Sequence, residues 1–234
     1  MPIPQVSVVI PTYNYAQYVG LAVKSVLAQS YPNTEIIVVD DGSTDRTQEA
    51  LRPYLPWVHY YYKENGGTAS ALNLGITHAN GDYICWLSSD DVFLPDKVAK
   101  QVALMESKPE LGFSYTSFVV IDAMGKRKYE MHPPFYPNRR EMVIKLMEGC
   151  FINGSSAIMR KSALDQVGLF DESMATVHDY ELWFRLLRYH PCGFLDEVLI
   201  GYRWHDRNGS LSVPGNFTEP AKNKARQLFP EWLG

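Results

Sequence analysis

Two pairs of adjacent carboxylates stand at the ends of apolar runs. Ile84-Cys85-Trp86-Leu87 gives way to Ser88-Ser89-Asp90-Asp91, and Glu35-Ile36-Ile37-Val38-Val39 ends in Asp40-Asp41. Short apolar runs rich in β-branched residues suit strands buried on both faces. Each pair therefore sits where a strand delivers acid to its carboxyl end, and in open α/β sheets that end is where ligands bind. Paired carboxylates there suit a hard divalent cation holding a phosphorylated ligand. Asp is also a common N-cap, and Asp90-Asp91 precedes a helix expected from Pro95. One pair alone leaves capping open, whereas two pairs argue for a crevice with several acidic groups. A further carboxylate, Asp179, opens a helical stretch, where the helix dipole favours the ionised form.

These groups need a scaffold, and its period is readable. Residues 6–10, 35–39, 57–62 and 83–87 read as strands. Between them, residues 15–29, 44–51 and 68–78 repeat apolar side chains at helical spacing, with Asn14 as a good N-cap for the first. Strand–helix alternation with short loops predicts an α/β fold with a mostly parallel central sheet and helices on both faces. Further on, residues 95–105, 141–147, 161–167 and 179–189 read as helices. Residues 111–121, 155–159 and 195–202 read as strands, and 132–138 as a long loop rich in proline and aromatics. No Gly-, Ser- or charge-rich linker divides the chain, so a single domain over 1–234 is expected.

The composition excludes several classes. The chain has 234 residues and a net charge of −4, so it carries no basic footprint for nucleic acid. Cys85, Cys150 and Cys192 are widely spaced, without metal-ligand spacing, and read as reduced core residues. The N-terminus lacks the pattern of a signal peptide, and no apolar run approaches the roughly 20 residues that span a bilayer. A cytoplasmic protein is expected, with peripheral membrane contact left open. The GxGxxG loop of dinucleotide-binding proteins and the GK[ST] of P-loops are both missing.

The ordered motifs carry a resemblance. They are Val8-Val9-Ile10-Pro11-Thr12-Tyr13-Asn14, then Val38-Val39-Asp40-Asp41-Gly42-Ser43-Thr44-Asp45, then Asn65-Gly66-Gly67 with Ala71-Leu72-Asn73-Leu74-Gly75. Gly81-Asp82-Tyr83-Ile84 follows, leading into Ser89-Asp90-Asp91, and later come Gly168-Leu169-Phe170-Asp171-Glu172 and His178-Asp179-Tyr180-Glu181-Leu182-Trp183. Each is weak alone. In this order, over residues 6–212, the set resembles the family 2 glycosyltransferases, inverting enzymes with a GT-A fold.

The resemblance implies roles. Residues 1–110 would form the nucleotide-sugar half, and residues 111–234 the acceptor half and tail. Pro11, Tyr13, Asn14, Asp40, Asp41, Asn65, Asn73 and Asp90 would bind the donor. Among them Tyr13 would stack on the base, Asp41 accept its imide N–H, with uracil the best match, and Asp90 touch ribose or sugar. Asp91 would hold Mn²⁺ or Mg²⁺, with His205 as a further metal or diphosphate ligand. His178, Arg203 and Arg207 are candidate diphosphate or acceptor contacts, and Trp204, Trp183 and Tyr136 candidate sugar platforms, although the helical spacing of Trp183 favours core. Asp179 would be the base that takes the acceptor proton. The partners implied are a nucleotide-sugar donor and a carbohydrate or glycolipid acceptor.

Two positions depart from the pattern. The family often has Glu before the base, where this chain has His178, and many members carry Arg where this chain has Leu72. These departures keep a second reading open, a GT-A-like module that binds nucleotide or carbohydrate without turnover.

Overall fold

The computed structural model describes residues 3–174, 176–206, 208 and 218–233. The apolar runs form the strands expected. β1 (Val6–Thr12) is buried along its whole length, and β2 (Thr34–Asp40) over its last five residues. β3 (His59–Tyr62) lies at the sheet edge and β4 (Tyr83–Trp86) is fully buried. The four run parallel in the order β3-β2-β1-β4.

α1 (Val19–Leu27), α2 (Thr47–Leu51) and α3 (Thr68–Thr77) connect them. The chain leaves β1 towards β2 and later returns to the other side of β1 as β4, so the strand order reverses between β1 and β4. Crevices form at such a switch point, beyond the carboxyl ends of the strands. The helices cover opposite faces. α1 packs with Val6, Val8 and Ile10, whereas α3 packs with Val9 and Val39. At Gly75 α3 comes so close that an added Cβ would lie 2.4 Å from Val9 Cγ1. Backbone approach explains a glycine in that motif.

The second half departs from a parallel sheet. β5 (Val92–Phe93), β6 (Phe113–Ile121), β7 (Arg127–Met131), β8 (Ile158–Arg160) and β9 (Cys192–Arg203) extend the sheet. The full order is β3-β2-β1-β4-β8-β6-β9-β5, with β7 on β6. β8 runs antiparallel to both β4 and β6, and β9 parallel to β6. α4 (Lys97–Ser107), α5 (Arg139–Glu148), α6 (Lys161–Val167), α7 (His178–Tyr189), α8 (Glu219–Leu228) and α9 (Pro230–Leu233) complete the described elements.

Some expectations change. β7 is exposed throughout and carries no apolar alternation, so its pattern reads as loop. The expected strand at 155–159 is a 3-10 turn, Gly154–Ser156, followed by β8. Cys85 and Cys192 are buried free thiols as expected, but Cys150 is exposed. Trp183 is fully buried, stacked on Phe113 at 5.1 Å, and serves the core rather than a sugar. Tyr136 packs partly buried against the same core, and Trp204 is exposed. No helix is long and apolar enough to cross a membrane among the described residues.

Candidate active site

The carboxyl ends of β1, β2 and β4 meet the end of β9, where a switch point of the sheet is expected to open a crevice. β4 ends at Trp86, and the chain turns through Leu87 and Ser88 into Asp90-Asp91. The two carboxylates differ sharply. Asp91 is 1% exposed; its Oδ2 accepts the Ser155 hydroxyl at 2.6 Å and its Oδ1 the Arg203 backbone N–H at 2.8 Å. Burial and the neighbouring Asp90 charge push its pKa well up. Asp91, expected to hold a metal, thus spends one acceptor site of each oxygen on the protein and is the more buried of the two carboxylates.

Asp90 is the more open group. Its Oδ2 faces His205 Nε2 at 3.1 Å, with 12% of the Asp90 side chain and 6% of the His205 side chain exposed. Burial raises the Asp90 pKa, and the His205 hydrogen bond pulls against that. His205 is held by ring contacts, stacked on Tyr18 at 5.2 Å and tilted against Tyr15 at 5.7 Å. A carboxylate and an imidazole facing each other form a donor pair suited to a divalent cation that completes its shell with phosphate oxygens and water. No group of three or more His, Cys, Asp or Glu side chains gathers for a metal among the described residues. The chemistry therefore fits a cation held jointly with a ligand, not a closed protein cage.

Arg203, expected at the diphosphate, is 2% exposed. Its Nε donates to the Asp90 carbonyl at 2.7 Å and Nη1 to the carbonyls of Asp122 and Ala123, while the guanidinium lies 4.7 Å over the Tyr18 ring. It positions the acidic turn through Nε and Nη1. Arg207 lies outside the described residues.

The second acidic pair also serves loops first. Asp40, 1% exposed, accepts the Ser43 N–H at 2.8 Å and the Tyr60 hydroxyl at 2.9 Å. Asp41 accepts Lys63 Nζ at 2.8 Å and the N–H groups of Gly66 and Gly67 at 2.9 and 2.7 Å. A carboxylate has roughly four acceptor sites, so Asp41 retains about one. Asn65 ties the same loop down by donating to the Asp41 carbonyl at 2.9 Å. Tyr13 is 46% exposed at the end of β1, while Pro11 is buried within that strand.

Two expected donor contacts also bond the chain. Asn14, in the left-handed region at φ 56°, caps no helix; its Oδ1 accepts the N–H groups of Thr44 and Asp45. Asn73 donates to the Phe170 carbonyl at 2.9 Å and to Glu172 Oε1 at 2.8 Å, and accepts the Phe170 N–H at 2.9 Å. Both Nδ2 hydrogens are used in clasping a loop, and Leu72 beside it is fully buried.

The clasped loop brings α7 to the crevice. Phe170 packs edge-on to Trp86 at 6.0 Å and to His178 at 5.5 Å, and the His178 and Trp86 rings are 5.4 Å apart. His178 is 5% exposed, a packing ring rather than an open contact. Asp179 follows in the first turn of α7, partly buried, with its Oδ1 accepting the Tyr180 N–H at 2.8 Å. Burial raises its pKa, and the His178 charge pulls it back.

Sequence reasoning missed Ser155, Lys63 and Tyr60, which orient the carboxylates. Their partners lie 64, 22 and 20 residues away, and no local pattern marks them. Ser155 also accepts the Ser88 N–H at 3.1 Å, so one hydroxyl holds both ends of the acidic turn.

Comparison with known proteins shows the family and the fold. The family model described as Glycosyl transferase family 2 matches residues 7–168. An uncharacterized glycosyltransferase of Rickettsia typhi is 39% identical over 99% of this chain and 71% of its own length. A putative teichuronic acid biosynthesis glycosyltransferase of Bacillus subtilis, TuaG, is 31% identical over 86% of this chain and 79% of its own. Other relatives are longer: the chain spans 36% of one from Rickettsia conorii. Among solved structures, S. aureus TarS in complex with UDP-GlcNAc superposes with a TM-score of 0.72 at 18% identity, covering 97% of this chain and 66% of that one. The mannosyltransferase PcManGT of Pyrobaculum calidifontis, in complex with GDP-Man and Mn²⁺, gives 0.67 at 18% identity over all of this chain and 73% of that one.

Proposed function

This chain belongs to glycosyl transferase family 2 and has the GT-A fold, and from that premise we propose that it is an inverting enzyme moving a sugar from a nucleotide-diphosphate donor to an acceptor hydroxyl. The observation that carries the reading is the Asp90–His205 pair, set at the carboxyl end of β4 beside the first turn of α7. The first 110 residues hold the donor and the remainder faces the acceptor.

In this reading Asp90 and His205 hold Mn²⁺ or Mg²⁺ jointly with the diphosphate, the assignment passing from Asp91 to its neighbour. A cation held there would supply positive charge against the charge that develops on the leaving diphosphate. Tyr13 offers an exposed face to the base, and the remaining acceptor site of Asp41 suits the imide N–H of uracil. Asp179 takes the proton of the acceptor hydroxyl as its oxygen attacks the anomeric carbon. The new carbon–oxygen bond forms as the bond to diphosphate breaks on the opposite side, which inverts the anomeric centre. The UDP-GlcNAc complex of TarS supports a UDP-sugar, and the description of TuaG supports an acceptor in surface polysaccharide or glycolipid.

A thermal-shift panel of UDP, GDP, CDP and dTDP, each with and without Mn²⁺, tests the donor half. At a hundredfold excess over Kd, a ligand specific to the folded state adds about 2.7 kcal/mol of apparent stability. A manganese-dependent shift with UDP is expected. Transfer assays with Asp179→Asn test the acceptor half, and unchanged turnover there overturns the base assignment.

A further inference from the structure

Two polar atoms near the crevice are buried without a partner, although good hydrogen bonds surround them. Trp86 is 8% exposed, and its Nε1–H donates to nothing among the described residues. Asn153 Oδ1 is likewise buried and accepts nothing, although the Asn153 carbonyl is taken by the backbone and the hydroxyl of Ser156. Buried polar groups are nearly always paired, so an unpaired one asks for a partner that is absent among the described residues.

Their position says what the partner is. Trp86 is the last residue of β4, four residues before Asp90, and its ring lies against that of His178, next to Asp179. The benzenoid edge of Trp86 is fixed on Gly154. A Cβ there would fall 2.2 Å from Cζ3 and 2.5 Å from Cε3. In indole Nε1 lies on the edge opposite those carbons, so that contact leaves the N–H free. Asn153 directly precedes Gly154 and Ser155, and Ser155 bonds both Asp91 and the Ser88 N–H. One unpaired donor and one unpaired acceptor thus flank the stretch between the acidic turn and the base candidate.

We propose that Trp86 Nε1–H and Asn153 Oδ1 are specificity-determining contacts for hydroxyl groups of the transferred sugar. A sugar hydroxyl accepts from the indole and another donates to the amide oxygen, while Gly154 keeps the indole in place. A site built around unpaired buried groups discriminates strongly against a ligand that lacks the matching hydroxyl. This inference rests on the glycosyl-transfer reading for the identity of the ligand.

The test compares the wild type with Trp86→Phe, which keeps an aromatic ring and loses the N–H, and Asn153→Ala. Affinities are measured by calorimetry with Mn²⁺ for UDP alone and for UDP-glucose, UDP-galactose, UDP-GlcNAc and UDP-GalNAc, and donor hydrolysis and transfer are followed for the same set. Both variants are expected to bind UDP within about twofold of the wild type, and to bind the preferred UDP-sugar at least roughly tenfold more weakly. Trp86→Phe is further expected to erase the penalty that the wild type shows for one deoxy analogue of that sugar. Variants that bind and turn over the preferred donor as the wild type does overturn the inference. So does a wild type that binds these UDP-sugars no more tightly than UDP. A wild type that binds a UDP-sugar by these contacts yet transfers it to no acceptor overturns the glycosyl-transfer reading alone.

Discussion

Asp91 Oδ1 takes the backbone N–H of Arg203 at 2.8 Å, joining points 112 residues apart in the chain. Its other oxygen takes the Ser155 hydroxyl at 2.6 Å. One buried carboxylate therefore ties β9 and the 3-10 turn to the acidic loop after β4. Truncation by Asp91→Ala leaves two buried donors unpaired, and a loss of about 2–4 kcal/mol is expected. The measurement is a lower urea midpoint at unchanged m-value. Asp90→Ala gives up the contact with His205 but also a buried carboxylate whose pKa burial raises, and it keeps the backbone tie from Arg203 Nε to the Asp90 carbonyl. It is expected to keep the midpoint and lose the manganese-dependent nucleotide shift. The reverse pattern returns the metal to Asp91.

Asn73 makes three hydrogen bonds to the loop before α7, two with the Phe170 backbone and one with Glu172. Asn73→Ala is expected to cost about 1–3 kcal/mol and to speed hydrogen exchange across residues 169–174. Nucleotide affinity should not move. A large loss of UDP binding at unchanged stability makes Asn73 a donor contact after all.

The division between what the sequence discloses and what it hides follows from range. β1, β2 and β4 announce themselves because burial on both faces leaves short, largely apolar runs, and an acidic pair marks the end of β2 and the turn after β4. β7 hides because all five of its residues are exposed. The roles of individual side chains are harder still. Asp90 and Asp91 are adjacent and chemically identical, and only Ser155, Arg203 and His205, brought from 64 to 115 residues away, separate them. Asn14 and Asn73 sit in motifs that suggest ligand contact, yet both amides bond the chain. A motif marks a place where the backbone must turn as readily as one where a ligand binds.

Lys97 is fully buried at the start of α4, with Cys85 Sγ at 3.7 Å, the Ala157 carbonyl at 3.3 Å and the Phe93 ring centroid at 4.1 Å from Nζ. No carboxylate forms a salt bridge with it among the described residues. Burial lowers its pKa. Between that lowered value and the ordinary lysine value near 10.5 the unfolded chain holds more protons than the folded one. Stability therefore rises with pH across this window. Lys97→Met, close in volume and uncharged, is expected to add about 1–3 kcal/mol near pH 7 and to flatten the rise. Urea midpoints at neutral and alkaline pH decide it; a destabilised variant with the slope intact means that the ammonium is well accommodated.

As the proposed base, Asp179 is expected to couple catalysis and stability to pH with opposite signs. Burial raises its pKa above the ordinary value of 3.8, and the His178 charge opposes that rise. A base works ionised, so kcat/KM is expected to climb with pH through the raised value, placing the acid limb above the ordinary carboxylate range. Removing the opposing charge by His178→Gln moves that limb further up. Stability runs the other way. Because the folded state holds this proton more tightly than the unfolded state, its contribution is complete below the unfolded pKa and is lost as pH rises through the folded one. Asp179→Asn is expected to lower transfer about 10²- to 10⁴-fold, to leave nucleotide affinity unchanged, and to remove this part of the pH dependence of unfolding. Rate profiles and urea midpoints on the same variants separate the two effects. If Asp179→Asn loses activity but the acid limb ignores His178→Gln, the limb belongs to another group and the base must be sought elsewhere in the crevice.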